Sequence, residues 1–77
     1  MALERPFNPM PDDIAARLDA AGLRGAYDTR PPYQRNDYLG WIARAKRDET
    51  REKRIAQMLD ELTNGTHYMK MRWPPKT

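Results

Sequence analysis

Two stretches of this chain share one spacing, and that spacing decides the fold class. Tyr38, Trp41, Ile42 and Ala45 fall at offsets 0, 3, 4 and 7, and Ile55, Met58, Leu59 and Leu62 repeat them. Those offsets trace one face of an α-helix. They predict helices over about 33–46 and 48–64. The junction at Lys46–Asp48 is very short, so the two helices should follow each other at a sharp angle. A third helix is expected over about 11–21, with Ile14, Leu18 and Ala21 on one face. Pro11 suits a first helical position, and Asp12 and Asp13 suit the positive end of the helix dipole. Gly22 fits the left-handed position past the end, with Leu23 folding back on Leu18 in a Schellman motif. Gly65 closes the last helix in a similar way. The expected architecture is all-α: a small three-helix domain over 11–65, with a flexible arm over 1–10 and an extended tail over 66–77.

Prolines and glycines set the connectors. Ala26, Tyr27 and Asp28 can form one helical turn between Gly25 and the Pro31–Pro32 pair. Proline disfavours helical geometry in the residue before it, so the next helix starts at or after Pro32. In the tail, Met69, Met71 and Trp73 alternate with Tyr68, Lys70 and Arg72. A period of two suits a strand. A single strand has no partner here, and Pro74–Pro75 ends it, so the tail is expected to lie extended. The large core candidates are Ile14, Leu18, Leu23, Tyr27, Tyr38, Trp41, Ile42, Ile55, Met58, Leu59 and Leu62. Truncating Trp41 is expected to cost about 3–5 kcal/mol. Gly40 weakens its helix by about 1 kcal/mol unless something packs closely over it.

Composition narrows the functional classes. The chain has 77 residues, enough for one small domain. It contains no cysteine and no serine, so neither can act as a nucleophile. His67 has no acid near it in sequence, and the four glycines are too scattered to cradle a phosphate. The acidic pairs read as helix-end and surface charges, Asp60–Glu61 among them. No catalytic, cofactor or metal site is expected, and no enzyme. The longest stretch free of strongly polar residues, Tyr38–Ala43, is far short of the roughly 20 apolar residues of a membrane span. The N-terminal residues have no apolar core of a secretory signal, and with no cysteine the expectation is a cytoplasmic protein. The net charge is +3 and is uneven. Residues 1–43 sum to −1 and residues 44–77 to +4, which favours an anionic partner without choosing one.

The last two helices and the junction between them carry a family resemblance. Pro31, Pro32, Tyr38, Trp41, Ile42, Ala45, Lys46, Glu49, Thr50, Arg51, Arg54, Ile55 and Ala56 together resemble the C-terminal helical region of the YdeI/OmpD-associated, or bacteriocin-protection, proteins. The likeness spans roughly residues 10–63. Asp48, where proline is frequent, Gly40, and the Met/Trp tail depart from it. The resemblance implies a bacterial helical domain with no established catalytic residues. It links such domains to an outer-membrane porin, to envelope stress, and to bacteriocin or antimicrobial-peptide tolerance.

Two candidate surfaces remain. At 100° per residue, Lys53 faces away from the stripe of the last helix, whereas Arg51 falls on it, one turn before Ile55. One reading lays Arg51 against Trp41 or Tyr38 and pairs it with Asp37. The other gathers Lys46, Arg47, Arg51 and Arg54 into an anion- or partner-binding corner where the helix begins. The tail residues Tyr68, Met69, Met71, Arg72 and Trp73 form the second candidate, because aromatic and arginine side chains dominate interface energetics; docking of the tail onto its own helices is the equal alternative. The leading expectation is a small interaction module that binds a protein. The alternative is nucleic-acid binding through the basic start of the last helix, opposed by the interleaved Asp48, Glu49 and Glu52. Weak contact with an anionic membrane comes last.

Overall fold

The computed structural model describes residues 7–72. Four helices, α1 (Asp12–Ala20), α2 (Arg24–Asp28), α3 (Pro32–Ala43) and α4 (Asp48–Asn64), are followed by a small hairpin of β1 (His67–Tyr68) and β2 (Met71–Arg72). The fold is mostly helical, as the stripes require, with one short helix more than the three expected and a two-stranded sheet at the end.

The local signals act much as their chemistry dictates. Gly22 takes a φ of 70°, Leu23 N donates to Leu18 O at 2.8 Å, and Gly22 N donates to Asp19 O at 3.1 Å. These bonds are the Schellman pattern. It turns the chain straight into α2, the turn anticipated around Tyr27. Gly65, at φ 72°, ends α4 with Gly65 N on Glu61 O at 2.9 Å. Pro11 is not inside α1. It is extended, with ψ at 147°, and its carbonyl receives Ala15 N at 3.0 Å, so it flanks the helix. Pro31 plays the same part before α3, at ψ 148°.

The break between α3 and α4 comes earlier than expected, and Arg54 accounts for it. In a continuing helix Ala45 N would donate to the carbonyl of Trp41. Here Ala45 N turns to Ile42 O at 3.1 Å, and Arg54 Nη1 takes Trp41 O at 2.6 Å. Arg47 is then extended at ψ 148° and its carbonyl receives Arg51 N. The helix therefore stops at Ala43 instead of reaching 46, and four residues join it to α4.

The core gathers Ile14, Leu18, Tyr27, Tyr38, Leu39, Ile42, Ile55, Met58, Leu62 and Tyr68. Leu23, Trp41 and Leu59 pack at its margin and are half-buried, which corrects their expected central place. Trp41 lies under the Arg54 guanidinium, 5.2 Å from the ring centre. Its truncation should therefore cost less than the value given for a buried tryptophan. Two ion pairs, Arg51–Asp13 and Arg17–Glu52, tie α1 to α4.

The expected arm, residues 1–10, lies outside the described residues as far as residue 6. Asn8, within the described part, docks on α3. Its backbone N donates to Asn36 Oδ1 at 2.8 Å, and its Nδ2 lies 3.1 Å from Asn36 O and 3.3 Å from Asn36 Oδ1. It sits over Gly40, where a Cβ would meet Asn8 Nδ2 at 2.7 Å. Gly40 thus has the close neighbour that its weak helix propensity called for.

Candidate functional site

The C-terminal segment is organised by a carboxylate that the sequence reading placed on the surface. Glu61 is 4% exposed. Its position on α4 is about 60° round the helix from Met58, at the edge of the apolar stripe. Four donors converge on it. Tyr38 Oη and Met69 N (2.8 Å) donate to Oε1, while Gln57 Nε2 (3.2 Å) and Lys70 N (2.7 Å) donate to Oε2. A buried carboxylate needs such satisfaction, since an unpaired one is expensive to desolvate. Burial, then the bond to Glu61, pushes the Tyr38 hydroxyl well above its usual pKa of 10.0, so it remains a donor. Beside this cluster Arg30, also buried, donates from Nη1 to Gln34 Oε1 at 3.1 Å and from Nη2 to Glu61 O at 3.0 Å. A cation there suits the negative end of α4.

This cluster explains the hairpin. His67 pairs with Arg72 and Tyr68 with Met71, leaving Met69 and Lys70 as a two-residue turn. Both have positive φ, 51° and 66°. That is the geometry of a type I′ turn, which ordinarily needs Asn or Gly. Here the two turn amides are held by Glu61 instead. The expected unpartnered strand is therefore a strand that folds back on its own continuation. No turn signal in the sequence marks the reversal.

Tyr68 is buried rather than presented. Its ring meets Tyr33 and Tyr38 edge-on, at 5.9 and 5.4 Å, and its hydroxyl donates to Asp37 Oδ2 at 2.8 Å. Asp37 is thereby engaged, and Arg51 finds Asp13 instead, with Nη1 and Nη2 at 2.7 and 3.1 Å from its two oxygens. This bidentate pair holds the Asp13 carboxyl below its usual pKa. Met69 is half-buried at the turn. Met71, 59% exposed, Lys70 and Arg72 face solvent, and Tyr33 is 45% exposed beside Tyr68. Trp73 lies outside the described residues.

The basic corner is not brought together as a site. Arg54 is engaged by Trp41 and Arg51 by Asp13. Lys46 and Arg47 are exposed, with Arg47 Nη1 3.8 Å from Glu49. A nucleic-acid backbone would meet two loose cations flanked by Asp48 and Glu49, and the geometry gives that reading no support. No described helix is long and apolar enough to cross a membrane.

Residues 9–65 match the family described as bacteriocin-protection, YdeI or OmpD-associated. The chain belongs to that family. The match takes in all four helices of this YdeI/OmpD-associated domain and Glu61 itself, and it stops at Gly65, before the hairpin. No curated protein and no solved structure matches the chain.

Proposed function

We propose that this YdeI/OmpD-associated domain is a non-enzymatic, cytoplasmic protein-binding module whose contact face is the hairpin and the adjoining Tyr33. The observation that carries the reading is the Glu61 clamp. It fixes the hairpin backbone, so Met71 stands exposed without first having to be ordered, and Tyr33, held on α3, stands exposed against the Tyr68 ring. Exposed apolar side chains on a preorganised backbone, rimmed by Lys70 and Arg72, suit protein recognition, because little entropy is lost on contact. The cationic rim favours an acidic partner surface. The setting we propose is bacteriocin tolerance, as the family description suggests, with antimicrobial-peptide tolerance as its extension.

The test is site-specific photocrosslinking in cells. A crosslinker at Met71 should give a discrete protein adduct that disappears with Tyr33→Ala. A crosslinker at Lys53, on the solvated side of α4, should give none. Equal labelling from both positions, or no adduct at Met71, refutes this face as the contact.

A further inference from the structure

The N-terminal segment, α2 and α3 enclose a groove of about 430 Å³ that the hairpin face does not use. Pockets for small organic molecules span roughly 300–1,000 Å³. The apolar lining comes from Phe7, Met10, Tyr27 and Leu39. Three charged residues also line it: Arg24, Asp28 and Arg35. Arg24 Nε lies 3.2 Å from Asp28 Oδ1, so these two charges offset each other. Arg35 makes no ion pair among the described residues, and its Nε is buried without a hydrogen-bond partner. The groove is therefore a largely apolar hollow, with Asn8 and Asn36 at its edge and one guanidinium in its wall that no described carboxylate pairs.

Those features select a ligand. A guanidinium matches a carboxylate with parallel charge-assisted bonds, and the terminal nitrogens of Arg35 are the ones a ligand would meet, since its Nε is shut away from solvent. One cation balances one negative charge, so a dianion would be left partly unpaired. The apolar walls call for a hydrocarbon body. We propose that this groove binds a small monocarboxylic acid with an apolar body, its carboxylate on Arg35 and its body between Phe7, Met10, Tyr27 and Leu39. The field at Tyr27 is consistent with this placement: burial raises the pKa of its hydroxyl, Arg35 and then Arg24 pull it down, and Asp28 raises it, so Arg35 is the largest charge felt at the inner wall. This site shares no residue with the hairpin face and stands whether or not that face binds a protein.

The test titrates the full chain with phenylacetate and, separately, with the neutral phenylacetamide, followed by amide NMR shifts. Phenylacetate should produce saturable shifts centred on Asn8, Tyr27, Asn36 and Leu39, and bind at least about tenfold more tightly than the amide, which is about 1.4 kcal/mol. Arg35→Gln should abolish that preference. Phe7→Ala, at a residue 84% exposed and outside the core, should weaken both ligands. Absence of saturable shifts, equal binding of acid and amide, or shifts centred elsewhere overturns the proposal. Should Arg35→Gln fail to fold, the acid-to-amide comparison on the unaltered chain decides by itself.

Discussion

Replacing Glu61 with glutamine keeps the size of the side chain, removes its charge and turns one of its two accepting ends into a donor. Tyr38 can rotate its hydroxyl to accept from the new amide, and Gln57 can present its carbonyl. The two turn amides have no such freedom. Met69 N is bound to one carboxylate oxygen and Lys70 N to the other. Whichever way the glutamine lies, one backbone N–H faces an NH₂ group. A hydrogen bond to a charged acceptor contributes about 1.5–3 kcal/mol, and its loss here leaves a donor unsatisfied. The turn also loses part of what holds two non-glycine residues in left-handed geometry, unfavourable by about 1–2 kcal/mol each. Glu61→Gln should therefore destabilise the domain by about 2–4 kcal/mol. Urea unfolding followed by far-ultraviolet circular dichroism measures the loss, and hydrogen exchange locates it. Exchange at Met69 and Lys70 should accelerate more than at Ile55 in α4. A loss below about 0.5 kcal/mol, the usual scale of surface substitutions, with unchanged protection of both turn amides would refute the clamp.

Two further substitutions probe the docked N-terminal segment and the α1–α4 link. Gly40→Ala gains about 1 kcal/mol of helix propensity, but its new methyl strikes Asn8 Nδ2 and so sacrifices the side-chain bonds to Asn36, of about 0.5–1.5 kcal/mol each. It should stabilise only in an Asn8→Ala background, and additivity of the two changes within about 0.3 kcal/mol in denaturant unfolding would refute the contact. The Arg51 pair lowers the folded pKa of Asp13, so its small contribution is present above the unfolded value of 3.8 and fades as pH falls through the lower folded value. Asp13→Asn should flatten that acid limb of the urea midpoint against pH; an unchanged slope would show that the pair does not contribute.

The helices were legible because their signals are local. Offsets of 3, 4 and 7, a glycine past each of two helix ends, and prolines before two starts act within a turn or two of themselves. The family resemblance, carried by charged and aromatic positions around the same helices, was legible for the same reason. What escaped depends on distant partners. Arg54 ends α3 through a carbonyl thirteen residues back, and no periodicity announces that. Glu61 looked like a helix-end or surface charge, yet its angle beside Met58 already placed it on the flank of the buried face. The reversal at Met69–Lys70 carries none of the residues that make such turns by themselves. Its cause lies eight and nine positions upstream. Arg51 was rightly set apart from Lys53, but its carboxylate comes from α1, a pairing that only the packing of the first and last helices decides.

A turn whose shape is borrowed from another element cannot form ahead of that element. The hairpin becomes favourable only once α3 has delivered Tyr38 and α4 has delivered Glu61 to the same spot. The coupling runs both ways: whatever clasps residues 67–72 in their native shape also stabilises helices it never touches, by RT ln(1 + L/Kd) at free concentration L.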